Sequence, residues 1–295
     1  MFEFFANLFG YLLQFLYGII NNYGVAIILF TVIIKLILLP LSIKQQRTLK
    51  KSTELQEKMK VIQFKYKNDP EKMNQEMMNL YKTENMSPFS GCLTAIVQLL
   101  LLLSIFYLVR SPLTFMVKIP QDNINHYVEQ MQENGKAVSQ VYPEIDLIRE
   151  SSWLKENNTE DPYVEKLNLQ MNFLGLDLSK VPQQNMTDYT VYIIPVLYIL
   201  SSFISIRMTT AMQAKKNKKQ EDVKIDGTTG KELVPQDEEN NEMDAVMQTN
   251  KMMSWMMPIM SISIAFIAPL GLALYWLISN ILMIVERLIL DKLIK

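Results

Sequence analysis

Four long stretches of the chain contain no charged residue, and they limit the possible folds more than any other feature of the sequence. The stretches cover residues 4–34, 85–109, 189–206 and 252–285, which are 31, 25, 18 and 34 residues long. An α-helix rises about 1.5 Å per residue, so roughly 20 apolar residues cross a hydrocarbon core about 30 Å thick. The sequence therefore predicts an integral membrane protein whose first and last uncharged stretches are too long for a single span.

The last uncharged stretch is interrupted by Pro269 and Gly271. Proline removes a backbone hydrogen-bond donor, and glycine tolerates dihedral angles that other residues avoid. We therefore expect two spans in this stretch, over residues 252–268 and 269–290, joined by a tight turn.

The first uncharged stretch is interrupted near Asn21 and Gly24. Residues 1–22 are predicted to form an amphipathic helix that lies in the membrane interface, followed by a span over residues 23–43. A signal peptide is the alternative, but no lysine or arginine precedes the apolar residues and no small-residue cleavage site is evident. The interfacial helix is predicted because polar or small residues recur every three or four positions, at Glu3, Asn7, Gly10, Gln14, Gly18 and Asn21.

These patterns together predict an all-α integral membrane protein with five transmembrane helices. The predicted spans are residues 23–43, 91–110, 189–210, 252–268 and 269–290. The remaining segments are a cytoplasmic helical hairpin (44–90), an extracytoplasmic segment called the outer segment below (111–188), a flexible cytoplasmic connector (211–251) and a cytoplasmic tail (291–295).

The orientation of the chain follows from the uneven distribution of its 29 basic and 30 acidic residues. Residues 44–90 carry ten basic and six acidic residues, whereas the outer segment carries six basic and twelve acidic residues. Loops rich in lysine and arginine stay in the cytoplasm. The hairpin and the connector are therefore predicted to be cytoplasmic, with the N-terminus outside the cell membrane and the C-terminus inside.

The chain offers little for catalysis or for a cofactor. A single cysteine, Cys92, and a single histidine, His126, exclude a disulfide framework, a cysteine zinc site and a metal centre built on paired histidines. The glycines at 227 and 230 lack the lysine and the preceding strand of a phosphate loop. We therefore predict no enzyme activity, no cofactor and no metal site, and we find no motif for nucleic-acid recognition.

The predicted hairpin carries two narrow apolar stripes that can pack together, separated by the helix-breaking residues 68–70. Its lysines would point outward, and Lys58, Lys65 and Lys67 are the candidate recruitment residues. One interpretation is an ordinary solvated face of a cytoplasmic loop. The other is a surface that receives anionic lipid headgroups, a ribosome or a nascent chain.

Lys35 is a charged residue inside the predicted first span. A lysine at the centre of a span costs about 3 kcal/mol on insertion scales, so it normally faces protein or water. Lys35 either extends to the cytoplasmic interface or lies at the base of a polar cavity. Polar residues at helical spacing that could line such a cavity are Thr31 on the first span, Gln98 on the second, Ser202 and Ser205 on the third and Tyr275 on the fifth.

Methionines are concentrated at the start of the predicted fourth span. Met252, Met256 and Met260 lie at helical spacing and would form a flexible apolar surface able to contact varied sequences. The same spacing is also typical of ordinary helix packing.

Several motifs resemble the YidC/Oxa family of membrane protein insertases. They occur in the family's order and lie within residues 23–110 and 189–290. The resemblance is less specific over the outer segment and over the connector. The motif residues are Ile34 to Leu41, Gln75 to Lys82, Pro88 to Cys92 followed by Gln98, and Pro269 to Trp276 followed by Ser279 and Asn280.

The resemblance implies a hydrophilic groove that is enclosed by five spans, open to the cytoplasm and to lipid, and closed toward the outside. Lys35 matches a position usually held by arginine, and lysine lacks the planar set of donors that arginine provides. The chain resembles the bacterial type without the large N-terminal outer domain. The groove would be lined by Lys35, Thr31, Gln98, Ser202, Ser205, Tyr275 and Trp276.

The leading hypothesis is an insertase and chaperone that works without ATP on nascent membrane proteins in the lipid bilayer. The ribosome and the Sec translocation channel are the further partners that the resemblance implies. The main alternative is a permease in which Lys35 binds a small anion or solute, although no inverted repeat supports it. An intramembrane serine protease using Lys35 is a third alternative, but no nucleophile motif accompanies the lysine.

Overall fold

The computed structural model describes residues 2–66, 69–84, 90–208 and 264–293. Several sequence-based predictions lie outside the described residues. They are the methionine surface of Met252, Met256 and Met260, the recruitment residue Lys67, the side chain of Gln98, and the connector over residues 211–251.

The described residues are mainly helical. The helices are α1 (Phe2–Ile20), α2 (Tyr23–Lys65), α3 (Pro70–Thr83), α4 (Ser90–Arg110), α5 (Gln121–Glu133), α6 (Pro143–Arg149), α7 (Ser151–Asn157), α8 (193–208) and α9 (Leu270–Leu293). Residues 264–267 are also helical, Leu113–Val117 form a π-helix, and Val164–Leu167, Pro182–Gln184 and Tyr189–Tyr192 form 3-10 turns. Two short strands, β1 (Asn172–Phe173) and β2 (Leu176–Asp177), pair as an antiparallel hairpin that the all-α prediction did not include.

Four helical segments within the described residues are long and apolar enough to cross a membrane. They are Phe2–Ile20, Tyr23–Arg47, Tyr189–Met208 and Leu270–Leu290, and Leu99–Arg110 is a shorter apolar helix. The segment at Phe2–Ile20 was predicted to lie in the interface, and this placement stays a prediction. The five-span count also stays a prediction, because most of the predicted fourth span lies outside the described residues.

Helix α1 presents three different faces. Ala6, Phe9 and Leu13 are buried where α1 packs against α2 and α4. A second face is apolar and exposed, and a third carries the exposed polar residues Glu3 and Asn7. The exposed apolar residues are Phe4, Leu8, Tyr11, Phe15 and Ile19, which recur every three or four positions.

Helix α2 is a single helix of 43 residues, so it continues past the predicted end of the first span at residue 43. The side chain of Asn22 caps its start by accepting a hydrogen bond from the Val25 N–H at 3.1 Å. Pro40 lies inside the helix and removes one backbone donor without ending it. The first span and the first helix of the predicted hairpin are therefore one continuous element.

Helix α3 packs back against the distal half of α2. The Asp69 carboxylate caps α3 by accepting from the Lys72 N–H at 3.1 Å, and Pro70 occupies the first turn, where its missing N–H is not needed. Leu55 is buried, and the Tyr81 hydroxyl lies 3.5 Å from the Met59 sulfur. Leu55 and Met59 belong to the first apolar stripe predicted for the hairpin, whereas Tyr81 was not among the predicted stripe residues.

The buried apolar side chains of the outer segment belong to the same core as those of α1, α2, α4 and α9. The Tyr127 hydroxyl donates to Asp161 at 2.6 Å, and this bond joins α5 to the loop that follows α7. Glu144 is buried and accepts from the Thr114 N–H at 3.0 Å and from the Thr114 hydroxyl at 2.7 Å. Burial raises the pKa of the Glu144 carboxyl, and the Thr114 donors oppose part of that shift.

Residues 169–180 of the outer segment, called the strap below, tie together the ends of three apolar helices. The Gln170 N–H donates to the Tyr17 hydroxyl of α1 at 2.8 Å, and the Gln170 carbonyl accepts from the Tyr23 N–H of α2 at 3.0 Å. At the other end of the strap, the Lys180 and Leu178 carbonyls accept from the Leu270 and Gly271 N–H groups at 2.9 and 3.0 Å. The strap thus uses backbone donors that helix starts leave without intrahelical partners.

Candidate functional site

Lys35 lies at the midpoint of the apolar segment Tyr23–Arg47, twelve residues from either end. Twelve residues of helix span about 18 Å, so both ends of the segment are distant from the ammonium group. The side chain is half-buried, between the buried Ile34 and the exposed Leu36. Lys35 therefore lies on the border between the protein-facing and the outward-facing sides of α2.

The polar groups near Lys35 on α2 come from the backbone as well as from side chains. Thr31, one turn before Lys35, is buried, and its hydroxyl donates to the Ile27 carbonyl at 2.6 Å. This bond satisfies the hydroxyl within α2. Pro40 has no N–H, so the Leu36 carbonyl lacks the donor that the residue four positions later normally provides. A backbone acceptor is thus available beside Lys35.

Helix α9 packs along α2 and brings charged side chains toward Lys35. Lys35 interacts electrostatically with Glu286, attractively, and with Arg287, repulsively. Tyr275 and Ser279 share a helical face with Glu286, because their spacings are four and seven. The sequence alone does not identify Glu286 as a group that acts on Lys35.

A second polar group joins α8 to α9. The Asn280 amide donates to the Ser202 hydroxyl at 2.8 Å and to the Ser201 hydroxyl at 3.1 Å. The Ser201 hydroxyl in turn donates to the Tyr198 carbonyl at 2.8 Å. These three side chains are called the clasp below: Ser201, Ser202 and Asn280. Of the clasp residues, only Ser202 was predicted as a site residue.

Aromatic packing accompanies the clasp. The Tyr198 and Trp276 rings lie 5.9 Å apart between their centroids, with their planes tilted by 35°. Trp276 and Asn280 are one turn apart on α9, so the ring contact and the clasp lie on the same helical face. Ser205, the other predicted serine, is also buried on α8. The presence of Asn280 in the Ser279-Asn280 motif was the sequence signal that could have revealed the clasp.

We expect Asn280→Ala to lower the free energy of unfolding by about 1 kcal/mol. One hydrogen bond between membrane helices contributes on average less than about 1 kcal/mol, and this substitution removes two such bonds. The measurement is denaturant unfolding of the purified protein in mixed micelles. The double variant Ser201→Ala/Ser202→Ala should cause a similar loss, and combining it with Asn280→Ala should add little. Full additivity of the two losses would show that the clasp is not a single interaction.

The predicted recruitment lysines lie far from Lys35 along α2. Lys58 forms an ion pair with Glu84 at the end of α3, and both side chains are partly exposed. The Lys65 ammonium lies 5.3 Å from the centre of the Tyr66 ring. Thirty residues separate Lys65 from Lys35, which corresponds to roughly 45 Å along a helix axis. The two sets of lysines therefore belong to different regions of the molecule.

The apolar helices and the charge at the centre of one of them define a multi-pass helical membrane protein. The family model described as 60Kd inner membrane protein matches residues 15–295. The chain belongs to this family.

The curated relatives carry a common name, Membrane protein insertase YidC. The relative from Treponema denticola is 28% identical over 285 residues, which are 97% of this chain and 37% of that protein. The relative from Caldanaerobacter subterraneus subsp. tengcongensis is 42% identical over 102 residues, or 35% of this chain and 50% of that protein. The relative from Cupriavidus necator is 44% identical over 101 residues, which are 34% of this chain and 18% of that protein. The matches thus span half or less of each of these relatives.

Proposed function

We propose that this protein is a membrane protein insertase and chaperone that receives nascent hydrophobic segments beside Lys35. The observation that carries the proposal is a half-buried lysine at the midpoint of an apolar segment, within electrostatic range of Glu286 of α9, in a chain of the 60Kd inner membrane protein family. A lysine in such a position is expensive in lipid and normally serves a polar pathway. The name that the relatives share supports the same activity.

The proposed mechanism lowers the cost of moving a polar flank through hydrocarbon. Each unpaired polar group costs several kcal/mol there, so a polar groove that reaches the middle of the membrane shortens the unfavourable path. The Lys35 ammonium attracts an acidic flank, and the Leu36 carbonyl left free by Pro40 accepts a donor or a water molecule. The apolar part of the client then leaves sideways into lipid. No covalent step is required, so the activity needs neither a nucleophile nor a cofactor.

Glu286 gives Lys35 a counter-charge when no client is present. An uncompensated charge in a low-dielectric region is costly, and the attraction to Glu286 offsets part of that cost for Lys35. An acidic client flank competes with Glu286 for the same ammonium group. The proposed groove therefore exchanges one carboxylate for another.

The finer architecture belongs to the same proposal. Five spans enclose the groove, α1 lies in the outer interface, α2 and α3 extend into the cytoplasm, and the N-terminus is outside. The three faces of α1 and the continuation of α2 beyond its apolar segment support these assignments. Gln98, Ser205 and Tyr275 contribute to the groove, and Met252, Met256 and Met260 provide an adaptable apolar contact. Ribosomes are proposed to bind the cytoplasmic surface, and the Sec translocation channel is proposed to bind the lateral surface.

Site-specific photocrosslinking tests the proposal directly. A photoreactive residue at Leu39, half-buried and one turn after Lys35, should crosslink to a nascent membrane segment in a translating extract with inverted vesicles. The matched control is Ile37, two residues earlier on the lipid-facing side and 65% exposed, which should crosslink mainly to lipid. Equal client crosslinking at both positions, or none at Leu39, would contradict the proposed groove. A permease would give no client crosslink at either position.

A further inference from the structure

The turn between β1 and β2 places a leucine in an unusual backbone conformation. Leu174 has φ 53° and Gly175 has φ 81°, as in a two-residue hairpin turn of type I′. Asparagine and glycine are the usual residues in such turns, since a Cβ disfavours positive φ. Leu174 is nevertheless 85% exposed, so no contact within the described part of the chain explains an apolar residue there.

The hairpin lies at the end of the first apolar helix. The Phe173 ring rests on the backbone of Gly24, where an added Cβ would come within 2.5 Å of the Phe173 Cγ. Gly24 is the second residue of α2, and the neighbouring Asn22 amide donates to the Asn172 carbonyl at 2.8 Å. The hairpin is therefore level with the first turn of an apolar segment that is long enough to cross a membrane.

The other strand of the hairpin contacts the start of the third predicted span. β2 lies against residues 189–192, and Tyr189 is 85% exposed there. Four residues after Tyr189 begins the exposed apolar face of α8. Its members, between 46% and 55% exposed, are Ile193, Val196, Leu197, Leu200, Phe203 and Ile204. Their spacings of three and four place them on one side of the helix, and Tyr189 lies just before that helix, in the 3-10 turn Tyr189–Tyr192.

Charged groups mark the polar side of this region. The Lys180 ammonium lies 2.7 Å from the Asp188 carboxylate, which is adjacent to Tyr189 in the chain. This bond, together with those from Thr190, holds the pKa of Asp188 well below its usual range, at about 2. A tyrosine between an ion pair and an apolar helical face has the two-sided surroundings of the membrane–water interface, where tyrosines are enriched.

We propose that Leu174 and Tyr189 form a lipid anchor that inserts into the headgroup and upper acyl region of the leaflet adjoining the outer segment. The occupant of this surface is lipid, because the exposed residues adjoin the lipid-facing side of α8 and are level with the first turn of α2. The anchor holds the strap against the membrane. Since the strap joins α1, α2 and α9, the lipid contact also fixes the ends of these helices relative to the bilayer. The anchor is independent of the proposed insertase activity, and its test does not use a client.

The test places an environment-sensitive fluorophore on Leu174→Cys in a Cys92→Ser background, with the full chain reconstituted in lipid nanodiscs. Interfacial groups lie about 5–10 Å into the headgroup and acyl boundary, so we expect roughly twofold lower fluorescence when the lipids are brominated near the start of their acyl chains. Aqueous iodide should quench this label weakly. A label on Tyr189→Cys should behave in the same way and provides a second reporter if one variant folds poorly.

Gln132→Cys is the matched control, because Gln132 is an exposed residue of α5 in the same outer segment. Its label should respond to iodide and not to brominated lipid. Strong iodide quenching at residues 174 and 189 without an effect of bromine would place both in water and overturn the anchor. Protection of both labels from iodide and from bromine would also overturn it, because a protein surface would then cover them.

Discussion

Gly10→Ala is expected to lower the free energy of unfolding by about 2–3 kcal/mol, the upper range for forcing an extra group into a packed contact. A Cβ on Gly10 would lie 1.9 Å from the Phe115 carbonyl oxygen and 2.7 Å from its carbon. Both atoms belong to the backbone of the π-helix Leu113–Val117, so no rotation of a side chain can relieve the clash. Helix α1 would have to move away from the outer segment, and its buried contacts would loosen.

Gly18→Ala is the matched control on the same helix. A Cβ on Gly18 would meet nothing within 4 Å, and alanine is favoured over glycine inside a helix by roughly 0.5–1 kcal/mol. We therefore expect opposite signs for the two substitutions when unfolding is followed by denaturant titration in mixed micelles. Equal changes in the free energy of unfolding for the two substitutions would show that α1 does not pack closely on residues 113–117.

The sequence predicts the apolar helices because their signal is local. Absence of charge over 18 residues or more, together with helix-breaking residues such as Asn21, Asn22 and Pro269, is enough to locate α1, α8 and α9 approximately. The end of α2 was harder to predict. The span was predicted to end at residue 43, but the change to charged residues near Lys44 does not stop a helix that continues with good helix formers.

The strap and the hairpin could not be predicted from local patterns. The strap is held by backbone groups of Gln170, Leu178 and Lys180. Every residue type has a backbone carbonyl, so the sequence does not indicate which carbonyls accept these hydrogen bonds. The turn at Leu174 also contradicts the usual turn chemistry, so a search for Asn-Gly or Asp-Gly would miss it. Contacts between residues about 90 to 150 positions apart, such as Gln170 with Tyr17, require the tertiary structure.

The candidate site could be predicted only in part for a related reason. Lys35 is identifiable because a charge in an apolar stretch needs a partner or water. The choice of Ser202 followed from helical spacing, and the structure shows that its hydroxyl is already engaged by Asn280. Spacing identifies which residues share a face, but it does not reveal which neighbouring helix that face meets. The electrostatic interaction of Glu286 with Lys35 was therefore not recognised.

Lys35→Ala is expected to slow the insertion of a client with an acidic outer flank about tenfold, which corresponds to roughly 1.4 kcal/mol. Two opposite charges 4 Å apart interact with about 4 kcal/mol at an effective dielectric constant of 20, and water in the groove reduces that value. A client whose flanking acids are replaced by Asn and Gln should be affected roughly twofold or less on the same scale. The measurement is the insertion rate into liposomes that contain only this protein.

The control variants separate the charge of Lys35 from its shape and from its neighbour. Lys35→Arg keeps the positive charge and should keep insertion of both clients, since a groove open to water tolerates the larger guanidinium. Glu286→Gln removes the carboxylate near Lys35 and should speed the acidic client relative to the neutral one, because competition for the ammonium group is lost. Lys166→Ala, an exposed lysine of the outer segment, removes one positive charge elsewhere and should leave the ratio of the two rates unchanged. If Lys35→Ala slows both clients equally, the lysine acts through helix packing, and attraction of the acidic flank is not part of the mechanism.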